Sequence, residues 1–393
     1  MNSVTIRICV GVFLSSACFF LAVPLIPLYI VQLDPQSPLA GPTIAISFVL
    51  SAALSPLWGT LAERYGPKPM LVRAAGLVSI AYALSAWATS VEALFAARCL
   101  AGVASGFVPV ATSALVRLSD ADRRSTDMGW LSSAKSAGAL LGPSVGGLLV
   151  WLTGSFRLTF LVAACASLLT VAVALSLPAM PPEPDDADGS AADTPPAEST
   201  RSTSLVIPAL ALTFLLASAG MLVQIWLPFA LGKTHGAVDA AGIVGLVLAC
   251  TSGATMLLAP LWGRLADRRR RGQVLVATVV LPIPLLAALG PVDGVAAIAV
   301  LFLAASALGS EAVALLGAEV SRKLPQRHIG PYFGWSNTVT QVGSAIAAAL
   351  TPALVGHSLD LPIWLCVALY VAGAAVVALL VRTLRQENSL AFA

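Results

Sequence analysis

The chain reads as an all-α polytopic membrane protein: twelve transmembrane helices arranged as two six-helix halves. Three observations predict this. Composition is the first: 58% of the 393 residues are hydrophobic and 10% are charged, where a soluble domain carries about 25% charged residues. So little polar surface cannot cover a globule of this size in water, which points to a chain embedded in lipid. An internal echo is the second. Ser55-Pro-Leu-Trp-Gly-Thr-Leu-Ala-Glu-Arg64 returns 204 residues later as Ala259-Pro-Leu-Trp-Gly-Arg-Leu-Ala-Asp-Arg268. The third is the one-sided placement of the basic residues.

Crossing a bilayer by helix takes ~20 apolar residues. Twelve stretches reach that length: 6–31, 42–62, 71–90, 92–117, 128–152, 157–178, 204–231, 240–262, 273–290, 295–320, 330–355 and 361–382. In lipid the backbone must bond within its own segment, so these are helices. The ~10-residue alternating segments of a membrane barrel do not occur. The first run is long for a signal-peptide core and no small-x-small cleavage site follows it, so it is a retained first helix. Residues 179–203 are rich in proline and serine and carry six acids, the composition of a flexible linker. The expected division is therefore a half at 1–178, a linker at 179–203 and a half at 204–393.

With twelve spans and both termini cytoplasmic, 18 of the 22 basic residues fall on the inward side. That asymmetry orients a multi-pass protein in the cell inner membrane. Arg157 and Lys233 fall outside, and Arg98 and Lys135 fall within spans. The repeat extends past the first echo. Gly129-Trp130 and Gly138 recur as Gly334-Trp335 and Gly343 at a shift of 205, and Leu94-Phe95 and Gly102 match Leu301-Phe302 and Gly309 at 207. Two such halves in the same orientation form a parallel repeat, which places a substrate path at their interface and rocks about it.

Several classes are excluded. The six cysteines all lie in apolar runs without a close pair or metal-ligand spacing, so no metal or cofactor is expected. No soluble basic face offers a nucleic-acid site. Gly142-Pro-Ser-Val-Gly146 has the letters of a hydrolase elbow, but it sits inside an apolar helix with no buried histidine. Gly232-Lys233-Thr234 ends like a phosphate loop, but Leu227 stands where its first glycine belongs. An intramembrane enzyme is the remaining rival from another class.

Gly59-x-Leu61-Ala62-Glu63-Arg64-x-Gly66-x-Lys68-x-x-Leu71 resembles the loop 2–3 signature of the major facilitator superfamily, with Glu63 for the usual Asp and Pro67 at a usual basic position. Arg98-x-x-x-Gly102 is similar to that family's helix 4 motif. Gly138-Ala-Leu-Leu-Gly142-Pro143-Ser-Val-Gly146-Gly147 matches the helix 5 motif of its antiporters, above all the twelve-helix drug:proton group, and further text resembles the multidrug-exporter branch. The resemblance implies the major facilitator fold and export by proton antiport, hence multidrug resistance. An uptake symporter of the same fold is the alternative. It also implies that the helix 5 motif seals the half–half interface against proton leak and that Arg98 serves proton relay or substrate binding.

Each motif also has a plain physical reading. Gly138, Gly142 and Gly146 at four-residue spacing let a facing helix approach closely, and Pro143 kinks helix 5. Glu63 can sit against the positive N-terminus of helix 11, a contact worth ~0.3–1 kcal/mol, with Arg64 and Lys68 tying the loop to neighbouring carboxylates. Gly59, Glu63, Arg64, Gly66 and Lys68, with Asp267 and Arg268 of the looser second copy, then form a gating latch. The rival reading is that a basic turn is simply what an inward loop requires.

Among the ionisable residues within spans, Arg98, Lys135, Glu311 and Glu319 are singled out, those at the span ends being set aside as flanking charges. A charge at the bilayer centre costs ~2.5–3.5 kcal/mol, so each needs a reason. Helix 1 lacks the acid that many drug antiporters carry there. Glu311 is then the remaining proton carrier, with Arg98 as its partner in coupling; a structural ion pair is the alternative. Two buried cations against one deep acid favour an anionic or zwitterionic substrate, such as an exported siderophore, over a lipophilic cation. Lys135, Arg98, Tyr29, Gln224, Trp226, Asn337 and Gln341 are the candidate substrate contacts. The expected partners are a small-molecule substrate, protons and the lipid bilayer, and the expected state is a monomer.

Overall fold

The computed structural model describes residues 3–118, 124–178, 196–268, 271–292, 294–309, 311–324 and 326–390. Among the described residues every regular element is helical. Helix α1 is Ser3–Leu33, α2 is Ala40–Tyr65 and α3 is Pro67–Trp87. Helix α4 is Val91–Leu115, α5 is Arg124–Thr153 and α6 is Phe156–Leu175. Helices α7 (Leu205–Gly232), α8 (Gly236–Leu258), α9 (Gly272–Leu289) and α10 (Val295–Val320) follow, then α11 (Gln326–His357) and α12 (Leu361–Leu390).

Eleven helices are long and apolar enough to cross a membrane among the described residues. The twelfth, α2, has 26 residues, about 39 Å of helix, and its apolar part is Ala40–Ser55. Of the expected linker, residues 179–195 lie outside the described residues, and helix begins at Pro196, ahead of the apolar run of α7.

Local sequence explains the ends and bends. Ser90 and Ser155 cap α4 and α6 by accepting the amides of Ala93 and Leu158 at 3.3 Å, as N-cap serines do. Pro67 opens α3, where its missing N–H costs nothing. Pro24 lies in a 3-10 turn at Val23–Leu25 within α1 and Pro27 in the first turn of the helix that resumes at Ile26; each removes one helical donor. Gly236 separates α7 from α8 with φ 72, a left-handed conformation that glycine adopts without steric cost.

Four of the expected spans are not continuous: besides α1 with its 3-10 turn, α9 breaks at Leu281, ahead of Pro282. Helix α4 is interrupted between Val103 and Phe107, with Gly106 at φ 112. Helix α10 is interrupted after Gly309 and resumes at Ala312. Starts at Val91 and Val295 and resumptions at Phe107 and Ala312 align the two helices at shifts of 204 and 205, not the 207 inferred from Gly102 and Gly309.

The chain divides into two compact units, Met1–Asp186 with Leu227–Ala249, and Ala187–Trp226 with Cys250–Ala393. In the first, Ile8 and Val12 of α1, Leu71 and Ala74 of α3, Ala111 and Leu115 of α4 and Ala174 of α6 share a core. In the second, Leu212 and Leu216 of α7, Val279 of α9, Leu316 of α10 and Val377 of α12 do the same. Lipid tails are as apolar as leucine, so small-residue contact and interhelical hydrogen bonds hold such bundles. A reciprocal pair stitches α3 to α6: Ser79 donates to the Ala164 carbonyl at 2.8 Å, and Ser167 donates to that of Ala75 at 2.9 Å.

Candidate functional site

The glycines of α5 pack on two neighbours within the first unit. A methyl group built on Gly138 or Gly142 would come within 2.6 Å of the Phe13 or Ala17 carbonyl of α1. One on Gly147 would come within 2.5 Å of the Ala241 carbonyl and 2.6 Å of the Gly245 Cα, both in α8. Real Cβ atoms do not approach so closely, so only glycine allows these seams. One seam faces α1, and the second, at Gly147, brings residues 227–249 into the first unit. Gly146 meets Leu21, and Pro143 is buried inside the helix. Lys135, one turn before Gly138, is exposed.

Arg98 is 2% exposed. Its Nη2 donates to the Ser47 hydroxyl of α2 at 2.8 Å, while Nε and Nη1 are buried without a hydrogen-bond partner among the described residues. Half-buried Glu311 stands at the interruption of α10, where its carbonyl accepts the Leu315 amide at 2.9 Å. Gln224 and Gln341 are half-buried and Asn337 is exposed. Two aromatic candidates have their polar atoms engaged. The Tyr29 hydroxyl donates to the Ala88 carbonyl at 2.9 Å with its ring stacked on Phe156, and the Trp226 indole donates to the Leu359 carbonyl at 2.7 Å.

The expected loop 59–71 is helical up to Tyr65 and again from Pro67; Gly66 between them takes φ 86, and in the last turn of α2 the exposed Arg64 lies over the ring of Tyr65, 5.6 Å from its centroid. Lys68 donates to the Leu177 carbonyl and Arg7 to that of Ser176, each at 2.5 Å. Lys68 therefore ties to the negative end of α6, in place of the neighbouring carboxylate expected for it. The side chains of Glu63, Asp267 and Arg268, and the environment of Gly59, lie outside what the structure describes.

Arg73 was not singled out from the sequence, where it counted only toward the inward charge. It lies six residues past Pro67, about 9 Å along α3. Its guanidinium sits 3.5 Å from the ring centroid of Trp58 in α2. Nη1 donates to the Val103 carbonyl at 3.4 Å and Nη2 to that of Ser105 at 2.9 Å. Its depth in a span and its neighbourhood to the Trp58 echo were the signals available. In the second unit the Trp262 indole, the echo of Trp58, donates to the Ala307 carbonyl of α10 at 3.3 Å.

A duplicated array of apolar helices, closed by glycine contacts along α5 and interrupted at equivalent points, defines a multi-pass membrane transporter rather than an enzyme. The chain belongs to the Major Facilitator Superfamily, whose sequence model matches residues 8–348 and again 239–391. It is 30% identical over 279 residues to the multidrug resistance protein MdtG of Proteus mirabilis, covering 70% of this chain and 69% of that one. The protein of the same name from Escherichia coli (strain K12 / DH10B) matches at 30% over 282 residues, with 70% and 69% covered. In fold, the chain is similar to the nucleoside transporter NupG at TM-score 0.72 and 14% identity, covering 97% of this chain and 99% of that one. It is equally similar, at 0.72 and 14%, to a bacterial homolog of the human lysosomal transporter Spinster, covering 94% and 96%.

Proposed function

We propose that this transporter exports small molecules from the cytoplasm across the inner membrane by proton antiport, through alternating access of two six-helix halves with both termini cytoplasmic. The observation that carries the proposal is the α5 glycine seam, closed against α1 and α8 at distances that exclude any side chain. In the antiporter motif it resembles, such a seam serves as a barrier to proton leak. Relatives at 30% identity that are named multidrug resistance proteins support the export direction. The substrate is a drug-like compound or an anionic or zwitterionic metabolite of the siderophore kind, drawn to the exposed ammonium of Lys135 on α5. Glu311 carries the proton, with Arg98 as the fixed cation in the other repeat. The Gly59–Lys68 junction of α2 and α3 gates the cycle, and the protein works as a monomer.

Transport into inverted membrane vesicles with an acidic lumen tests this. Antiport concentrates ethidium or a carboxylate siderophore in the lumen, and dissipating the gradient releases it. Gradient-driven loss of the same probe from preloaded vesicles identifies an uptake symporter and overturns the export reading.

A further inference from the structure

The interruption of α4 has an identifiable chemical cause. In a continuous helix the Ser105 carbonyl would accept the amide of residue 109, but residue 109 is proline and has no N–H. Gly106, at φ 112, turns the chain away from the ladder just before it. Two carbonyls, Val103 and Ser105, are therefore left facing a neighbouring helix inside an apolar bundle, where an unpaired carbonyl is strongly disfavoured.

Arg73 answers both. Its two terminal nitrogens reach those two carbonyls, and the guanidinium carbon lies over the Trp58 ring, 3.5 Å from its centroid. Trp58 in turn packs on the interruption itself, since a methyl group on Gly106 would meet its Cβ at 3.2 Å. A planar cation with a forked set of donors fits this task as no other side chain does. Arg98 lies in the segment of α4 just before the interruption, five residues from Val103.

We propose that Arg73 is a positioning residue: it fixes the bend of α4 at Ala104–Gly106 and so sets the direction of the half-helix that carries Arg98. The second repeat shows what the assignment depends on. Position 313, which matches Pro109 at the 204-residue shift, is valine. It has its amide, and one indole donor from Trp262 reaches the carbonyl of the buried Ala307. Arg73 is needed because Pro109 leaves a second carbonyl without a donor. This holds whichever way the transporter runs.

Spin labels at Glu92→Cys and Ser113→Cys, both exposed, bracket the bend at a separation of about 30 Å. They are introduced with Cys99, Cys165 and Cys250 replaced by Ser, and pulsed electron resonance in nanodiscs reads the distance. Arg73→Met shifts the distribution to longer distance and broadens it, as the bend is no longer held. Arg73→Lys, a point charge for two carbonyls, shifts it less. Adding Pro109→Val to either variant restores the missing amide and narrows the distribution, because the Ser105 carbonyl then has a donor without Arg73. If Arg73→Met is not recovered folded, Arg73→Lys with and without Pro109→Val gives the same comparison. A distribution in the tested Arg73 variant identical to the parent, or one that Pro109→Val does not narrow, overturns the assignment. The readout is a distance within α4, so it stands apart from the outcome of the vesicle experiment.

Discussion

The two repeats solve one problem with different residues. The Val103 and Ala307 carbonyls are 204 residues apart, as are Trp58 and Trp262. In the second repeat the tryptophan itself donates to the carbonyl; in the first, Arg73 does so and the Trp58 Nε1 is buried without a hydrogen-bond partner among the described residues. What the repeats share is therefore the place of the bend and the need for a donor there. They differ in charge as well: the α4 bend is held by a cation, while the α10 bend bears Glu311. A second pair repeats the pattern. Cys18 of α1 donates to the Ala163 carbonyl of α6 at 3.5 Å, and Cys366 of α12 donates to the Ala219 carbonyl of α7 at 3.5 Å. Donor and acceptor have changed helices, yet the contact is the same.

The steepest contrast between repeats lies in the helix seams. Helix α5 has Gly142 where α11 has Ala347, 205 residues on. Gly142→Val drives a branched side chain into the Ala17 carbonyl, and neither monodisperse protein nor transport should be recovered. Ala347→Val should cost about 1–3 kcal/mol, an ordinary overpacking penalty, and remain purifiable. Equal behaviour of the two variants would mean that the α5 seam has no special tightness. Next comes Glu311→Gln, which should abolish transport driven by a pH gradient while binding stays measurable by titration. Unchanged coupled transport removes Glu311 from the proton path.

A smaller effect is expected at the exposed cation of α5. Lys135→Ala should weaken transport of an anionic probe more than that of a neutral one, and equal loss of both would indicate a folding defect. The smallest contrast is at the paired tryptophans. Trp262→Phe removes a hydrogen bond and should destabilise by about 1 kcal/mol. Trp58→Phe keeps a ring beneath Arg73 and loses no bond, so its thermal midpoint should stay near the parent's. The opposite order would show that Trp58, and not Arg73, supports the α4 bend.

The spans, the duplication and the glycine motif were legible because each is written in residue type and spacing. Twenty apolar residues read as a span, and Gly138, Gly142 and Gly146 recur at helical pitch. The bends in α4 and α10 were not legible as breaks, because apolarity is the same on both sides of them. Arg73 was hidden by a counting argument that treats every cation near a helix start as topology. Tyr29 and Trp226 qualified as site candidates by residue type and depth, but residue type does not show that Ala88 and Leu359 offer carbonyls within reach. Lys68 illustrates the same limit: its partner is a backbone oxygen 109 residues away, which no side-chain pattern records.

The boundary between the two compact units falls inside α7, at residues 226 and 227, and inside α8, at 249 and 250. Continuous helix thus joins the units twice. At these two crossings the chain passes from one unit to the other as helix and not as loop. Helix α8 carries a bend-prone pair beside its crossing point. Ser252-Gly253 is the kind of pair at which helices bend, a methyl group on Gly253 would meet nothing within 4 Å, and the hydroxyl of Thr251 is buried without a partner among the described residues. A glycine that packing does not require thus stands next to a boundary that the chain crosses as helix.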